Sequence, residues 1–483
     1  MRHTKQPSKI LYLISFPPDI ISDMKYHIWT AGCQMNVADS QRVASALEGL
    51  GYQPEVRAED ADVIVLNTCV VRQSAEDKAY GRLNSLIPVK RKRPEVVINL
   101  MGCLVGVKGY DKLKERFPQV DVFSPPSDPG PLLAYLTQDE SKALENAETS
   151  RRFALMDGNL TLPSYEQGSL ISAHVPVVLG CSHACTFCII PYKRGIERSR
   201  PVGDIVGEVR SLVQQGVKEV TLLGQIVDRF GADIPDSPNL AQLLHIVHQI
   251  EGLERIRFLT SHPNWMTPEL LDTVTELPKV MPHIEVPVQA GDDQVLKNMR
   301  RGYIADDYCK LIHAIRERIP GASIATDIIV GFPGETDEQF QHTYDLLAEL
   351  KMDVAHLARY STRSGTVADR KMIDDVPDDE KWRRYRLLEE LQECIATEIH
   401  SKLLGKTVEV LFEEKVKGRW RGRTPTNKLV FVASEEDLRG RMIPVQITWT
   451  GPWSMQARQI GFQGDAVPAR LPADLEINLV NPK

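Results

Sequence analysis

Cys181, Cys185 and Cys188 stand close together in GCSHACTFCIIPYKRG, spaced Cys-x3-Cys-x2-Cys. A four-iron cluster normally takes one thiolate per iron. Three thiolates therefore leave one iron with an open position. Open metal sites bind and activate substrate, whereas closed ones are structural. The spacing predicts a catalytic iron–sulfur cluster. Zinc is the competing reading. His183 lies inside the loop and could be a fourth ligand, although zinc more often uses paired Cys-x2-Cys units.

The other cysteines are Cys33, Cys69, Cys103, Cys309 and Cys394, making eight in 483 residues. That is too few for a disulfide scaffold, and a reducing, cytoplasmic location is expected. The length calls for two to four domains. No apolar run reaches the roughly 18 residues that span a bilayer, so no membrane is expected as a partner. Residues 1–24 include ILYLISFPPDII, which two prolines interrupt. They read as a poorly ordered N-terminal extension, not a signal peptide.

The elements that position these thiols can be read from the apolar pattern. YHIWTAGC, ADVIVLNTC and EVVINLMGC are apolar strands that end at Cys33, Cys69 and Cys103. Helical patterns lie between them. Asn36 is expected to cap one helix, with Val43, Leu47 and Leu50 on its buried face; the next carries Ala79, Leu83 and Leu86. Continuously apolar strands suit a parallel sheet covered on both faces. Ligands of such sheets gather beyond the carboxyl ends of the strands. Three cysteines in that one context can converge on a second cluster. Buried inert thiols are the alternative.

Residues 25–140 thus form an α/β domain with a parallel sheet, and polar residues 141–166 form a linker. Residues 167–398 alternate strand and helix six times, a partial (β/α)6 barrel short of the eight units of a full one. The cysteine loop follows the first strand, at the carboxyl mouth where such barrels place chemistry. Gln225, Ser261, His262, Gln289 and Tyr360 stand at other strand ends of the same mouth. Gly331 and Gly334 flank the turn GFPGE, where glycine would let the backbone approach a ligand. A long helix over 379–404 carries Leu387, Leu391, Ile395 and Ile399 along one face. Cys309 and Cys394 are expected to be core thiols. Residues 399–465 show short strands and glycine turns, which predict a small all-β barrel. Residues 466–483 are a tail.

In KVKGRWRGR, Lys415, Lys417, Arg419, Arg421 and Arg423 occupy alternate positions around Trp420. On one strand all five would share a face. Residues 402–460 hold 11 Lys/Arg against 6 Asp/Glu in a chain of net charge −7. A basic stripe of this kind suits RNA phosphates. A solvated strand face is the competing reading.

Several motifs resemble those of the radical S-adenosylmethionine (radical SAM) methylthiotransferases. These are GCQMNVADS, LNTCVVR, CSHACTFCIIPYKRGIERSRP, TSHP, VPVQAGDDQVLKNMRRGY, GFPGET, YSTRSGT and GRTPTNKLVFV. The resemblance covers nearly the whole chain. It implies an N-terminal cluster domain over 25–140, a radical SAM domain over 167–398 and a TRAM domain over 399–465. CQMN followed by DS resembles the branch that acts on isopentenyladenosine beside the tRNA anticodon. Sister branches act on threonylcarbamoyl adenosine of tRNA or on a ribosomal protein aspartate. A non-catalytic iron–sulfur RNA-binding protein is the alternative of another class. The chain departs from the family pattern at Ala290-Gly291-Asp292, usually Ser-Gly-Ser, and at Ile226, usually Asn.

The resemblance implies two 4Fe-4S clusters and S-adenosylmethionine. Cys181, Cys185 and Cys188 would hold the catalytic cluster and bind S-adenosylmethionine at its open iron. Cys33, Cys69 and Cys103 would hold the auxiliary cluster that carries the inserted sulfur. Phe187 resembles the aromatic that packs near the adenine. Gln225, Ser261, Gln289, Gly331 and Tyr360 would contribute to cofactor binding. The implied partners are tRNA, an electron donor such as flavodoxin or ferredoxin, and a sulfur donor; a monomer is expected. A radical is needed because the hydrogen on carbon two of adenine is not acidic.

Overall fold

The computed structural model describes residues 24–71, 73–107, 110–138, 158 and 160–460. The expected extension apart from Met24, most of the linker and the whole tail lie outside the described residues.

The N-terminal sheet has five parallel strands in the order Gln53–Pro54, Lys25–Thr30, Val63–Thr68, Val97–Gly102 and Val122–Ser124. Val63–Thr68 is buried along its whole length, because helices cover both faces of the sheet. Strand register decides where the thiols go. Thr30 lies opposite Asn67, and Thr68 lies opposite Gly102. The chain therefore turns out of all three strands at one edge, with Cys69 and Cys103 as the next residues after a matched pair. The edge next to Lys25–Thr30 and Val63–Thr68 is also where the connections diverge to opposite sides of the sheet, the usual position of a ligand crevice.

The helix after the first strand is Gln34–Gly49, and its N-cap is Cys33, not the expected Asn36. Asn36 enters the helix because its side chain has buried partners to satisfy. Its Oδ1 accepts from the Cys33 backbone N–H at 3.4 Å, and its Nδ2 donates to Asn67 Oδ1 at 2.8 Å. Asn67 in turn donates to the Asn36 carbonyl at 2.8 Å and to Ser40 Oγ at 3.0 Å. A closed polar network under the strand ends is rigid because each member would be costly to leave unpaired. Gly32 could not carry a side chain there: an added Cβ would lie 2.6 Å from Asn36 Oδ1 and 2.7 Å from Cys69 Cβ.

The central domain has six parallel strands, Ser172–Pro176, Glu219–Leu223, Arg255–Leu259, His283–Glu285, Ser323–Val330 and Val354–Arg359. They form two three-stranded ladders. A bridge between Ile256 and Val280 joins the ladders, so the six strands follow in chain order around an open barrel. The long helix Asp378–Ser401 packs against the last strand. Its buried register differs from the one expected. Arg384, Leu388, Gln392 and Ile395 face inward, whereas Leu387, Leu391 and Ile399 are only partly buried. The rotation follows from Arg384, which reaches the buried Glu335 at 2.8 Å. Cys394 is exposed on this helix, not a core thiol, and Cys309 is half-buried against the core.

The C-terminal strands Thr407–Val416, Arg419–Arg423, Leu429–Val432, Met442–Thr450 and Met455–Gln459 close into a barrel. The basic residues do not form one stripe. Lys415 is next to last in the first strand, and Lys417, at φ 48°, sits in the hairpin turn with Gly418. The turn reverses the chain, so Lys415 pairs with the inward-facing Trp420, while Arg421 lies opposite Glu414. Only Arg419, Arg421 and Arg423 share a face.

Candidate active site

Two groups of thiols face the seam where the N-terminal domain covers the mouth of the central barrel. Met35 packs with Leu179, Leu223 and Leu259 at that seam. Arg42 Nη2 contacts Glu208 at 2.6 Å and Arg200 contacts the same carboxylate at 2.7 Å, all three buried. Farther out, Arg363 reaches Gln73 at 3.0 Å and Glu76 at 3.3 Å.

At the sheet edge, burial pushes the Cys69 thiol up to about 12, with the charges of Cys103 and Cys33 adding to it. Cys103 is also raised, first by burial, against the pull of Arg194. At the barrel mouth, burial lifts Cys181 to about 11 and Cys188 to about 12, and Cys185 raises both further. Each trio is thus close enough for its members to repel as thiolates. A bound metal removes that conflict, since a coordinating thiol is deprotonated outright. Donors already point at the sulfurs. The Val71 N–H donates to Cys69 Sγ and the His183 N–H to Cys181 Sγ, both at 3.4 Å. Arg194 Nε donates to Cys103 Sγ, and Arg301 Nη1 to Cys185 Sγ, both at 3.3 Å. These donors suit anionic sulfur, so the residues present fit iron–sulfur clusters.

The zinc reading fits less well. The His183 ring packs edge to face, 4.8 Å from that of His262 and 5.4 Å from that of Trp265. Among the described residues, no three His, Cys, Asp or Glu side chains are gathered as one ion requires. A cubane binds its thiolates at separate corners and needs the wider spacing.

Around the mouth, Phe187 lies 6.5 Å from Phe332, which lies 5.3 Å from Tyr360, both edge to face. Gln225 is half-buried. Ser261 is buried, and its hydroxyl has no described partner. Gln289 adopts φ 75° at its strand end, as Thr260 does at 66°. Such backbone in non-glycine residues concentrates at functional sites. At Gly331 the close neighbour is Lys381: an added Cβ would lie 2.3 Å from its Cγ. That glycine makes room for a side chain of the long helix.

Of the other polar groups here, Asp228, Glu285, Arg194 and Arg301 were not singled out from the sequence, whereas His262 was. Burial raises Asp228 to about 7, while the His262 N–H opposes the rise. Glu285 is raised to about 8 by burial and then by the Asp327 charge. His262 is lowered to about 2 by burial, with Arg301 next in effect. A signal existed for Glu285, a carboxylate next to the apolar run Val286–Val288. For Arg301 and Arg194 the signal lay in MRRGY and YKRG, whose reach to sulfur no spacing reveals. Two of the departures from the family pattern have local roles. Asp292 caps the helix Asp293–Met299 through Gln294 and Val295, and Ile226 packs with Cys181 and Ile190.

The C-terminal barrel docks at the other end of the central strands. Arg255 donates to the Arg423 carbonyl at 2.8 Å, and Arg257 donates to the Thr424 and Pro425 carbonyls at 2.9 Å. Arg421 pairs with Glu414 at 2.5 Å, and Arg423 lies 3.6 Å from Glu413. Among the expected RNA contacts, Lys417 and Arg419 alone form no ion pair with a described residue; Lys415 lies 3.9 Å from Glu435.

Residues 175–347 match the radical SAM superfamily, and residues 25–124 match the uncharacterized protein family UPF0004. The chain is 48% identical over 437 residues to the tRNA-2-methylthio-N(6)-dimethylallyladenosine synthase of Chloroflexus aurantiacus, covering 90% of this chain and 91% of that one. It is 47% identical to the synthase of the same name from Herpetosiphon aurantiacus, covering 90% and 98%.

The chain belongs to this synthase family.

Its fold also resembles a radical S-adenosylmethionine methyltransferase, TsrM, from Kitasatospora setae, at TM-score 0.52 and 16% identity over 70% of this chain and 73% of that one. For a synthase of this family, the two thiol groups at one seam are the part of the structure that bears on chemistry.

Proposed function

We propose that this protein is a radical SAM tRNA methylthiotransferase that inserts sulfur and a methyl group at carbon two of isopentenyladenosine next to the anticodon. The observation that supports this is that two thiol trios, Cys69, Cys103 and Cys181 buried among them, face one domain seam. Cys181, Cys185 and Cys188 would hold the 4Fe-4S cluster that binds S-adenosylmethionine. Cys33, Cys69 and Cys103 would hold the auxiliary 4Fe-4S cluster. When bound, these groups supply the one-electron and sulfur-transfer chemistry that a non-acidic carbon–hydrogen bond demands.

The chain's own residues bind, orient and shield. Phe187, with Phe332 and Tyr360 behind it, offers an aromatic wall for an adenine. Ser261, Gln225 and Gln289 present polar groups at the mouth, and the N-terminal domain keeps water from the seam through Met35, Leu179, Leu223 and Leu259. Glu285 and Asp228, held near neutrality by burial, can donate a hydrogen bond where ionised carboxylates cannot. Lys417 and Arg419 are the basic residues best placed to meet RNA phosphates. Lys415, Arg421 and Arg423 are already drawn to carboxylates. A tRNA substrate supports reading the protein as cytoplasmic, and the same reading gives it an external electron donor, a sulfur donor and a monomeric state. Among the described residues no helix is long and apolar enough to cross a membrane.

The test is anaerobic turnover of the reconstituted protein with an isopentenylated anticodon stem-loop, read by mass spectrometry. The expected product gains one sulfur and one methylene. An unmodified stem-loop, with threonylcarbamoyl adenosine RNA modified instead, would overturn the substrate.

A further inference from the structure

We propose that Arg194, carried by the radical SAM loop, is a positioning residue of the other site: it sets the reduction potential and iron retention of the centre held by Cys33, Cys69 and Cys103. This rests on the assignment of that trio as cluster ligands. The helix Ile190–Arg194 closes the loop that begins at Cys181, and Gly195 follows it at φ 84°. Arg194 is only 3% exposed. It leaves its own domain to reach Cys103 Sγ at 3.3 Å, Ser127 Oγ at 3.4 Å and the Asp39 carboxylate at 3.5 Å. Lys193 beside it donates to the Leu104 carbonyl at 3.1 Å. The loop that holds one trio thus grips the segment that follows a ligand of the other.

A guanidinium is buried without large cost only where anions face it. Here they are a carboxylate and the sulfur of a cluster ligand. Asp39 is fully buried, and neither of its oxygens has a described hydrogen-bond partner, so it acts on Arg194 through charge. A reduced cluster carries one more negative charge than an oxidised one. A cation and a hydrogen bond at Cys103 sulfur therefore favour reduction, and Asp39 opposes it. The sign of each effect follows from charge alone. Arg301 stands in the same relation to Cys185, through Nη1 at 3.3 Å, and serves as an internal control.

The experiment is a redox titration followed by electron paramagnetic resonance on the anaerobically reconstituted full chain, with iron release to a chelator timed alongside. Arg194→Gln is expected to move one midpoint to more negative potential and to speed loss of that centre's iron roughly tenfold. Arg194→Lys is expected to recover part of the shift. Asp39→Asn is expected to move the same midpoint the other way, and Arg301→Gln to move only the other one. Unchanged midpoints in Arg194→Gln, or a negative shift in Asp39→Asn, would overturn the proposal. If Arg194→Gln does not fold, Arg194→Lys carries the test: it is expected to show the same negative shift in smaller measure, and an unchanged midpoint there would overturn the proposal. A wild-type protein with a single cluster signal would instead sink the ligand assignment, which is a separate failure.

Discussion

At the residue scale, the proposed division of six cysteines between two clusters is one that substitution separates. Cys185→Ala is expected to abolish S-adenosylmethionine cleavage, read as 5′-deoxyadenosine. Cys69→Ala is expected to spare cleavage and block methylthio formation. Full methylthio formation in Cys69→Ala would remove the auxiliary role. Glu285 gives a pH prediction. Its carboxyl ordinarily titrates at 4.5 and is raised to about 8 in the fold. Between those values the folded chain holds a proton that the unfolded chain has lost, so this group's contribution to stability falls as pH rises. Glu285→Gln keeps a neutral side chain at every pH. The variant is expected to lose less stability between pH 4.5 and 8 than the parent, as measured by denaturant unfolding across that range.

At the element scale, the helix Gln34–Gly49 joins the domains. It begins at Cys33, packs Met35 on the barrel mouth and sends Arg42 to Glu208. Glu208 is shared by Arg42 and Arg200, and these two guanidiniums hold its carboxyl below the ordinary range despite burial. Glu208→Gln would leave two buried cations facing each other, at a cost of about 3–5 kcal/mol. Arg42→Gln would leave the Glu208–Arg200 pair intact and cost about 1.5–3 kcal/mol. Thermal unfolding of both variants checks the order; equal losses would mean that Arg200 does not depend on Glu208. The helix pattern in the sequence was readable from Val43 and Leu47, but its start was not. Asn36 is a good cap by type, and only the buried partner Asn67, 31 residues away, draws it inside.

At the scale of the whole molecule, the C-terminal barrel sits at the N-terminal ends of the central strands, away from the thiols. RNA that reaches both must run along the molecule. Lys417→Ala with Arg419→Ala is expected to reduce the slope of log affinity against log salt by about one per charge removed. Arg423→Ala is expected to change that slope less, because Glu413 and Asn427 already engage its guanidinium. Filter binding at several salt concentrations separates the two; a larger loss from Arg423→Ala would move the RNA surface.

The three-part α/β architecture and the shared position of Cys33, Cys69 and Cys103 just beyond three strand ends were legible in the sequence. Local periodicity is enough to specify those. The tertiary structure alone decided the rest. It brought Arg194 to Cys103 across 91 residues, turned His183 towards His262 and Trp265, and placed a hairpin turn between Lys415 and Arg419. Such contacts depend on how separate elements pack, and burial then gives them their strength. Neither quantity is written in the order of residues along one segment.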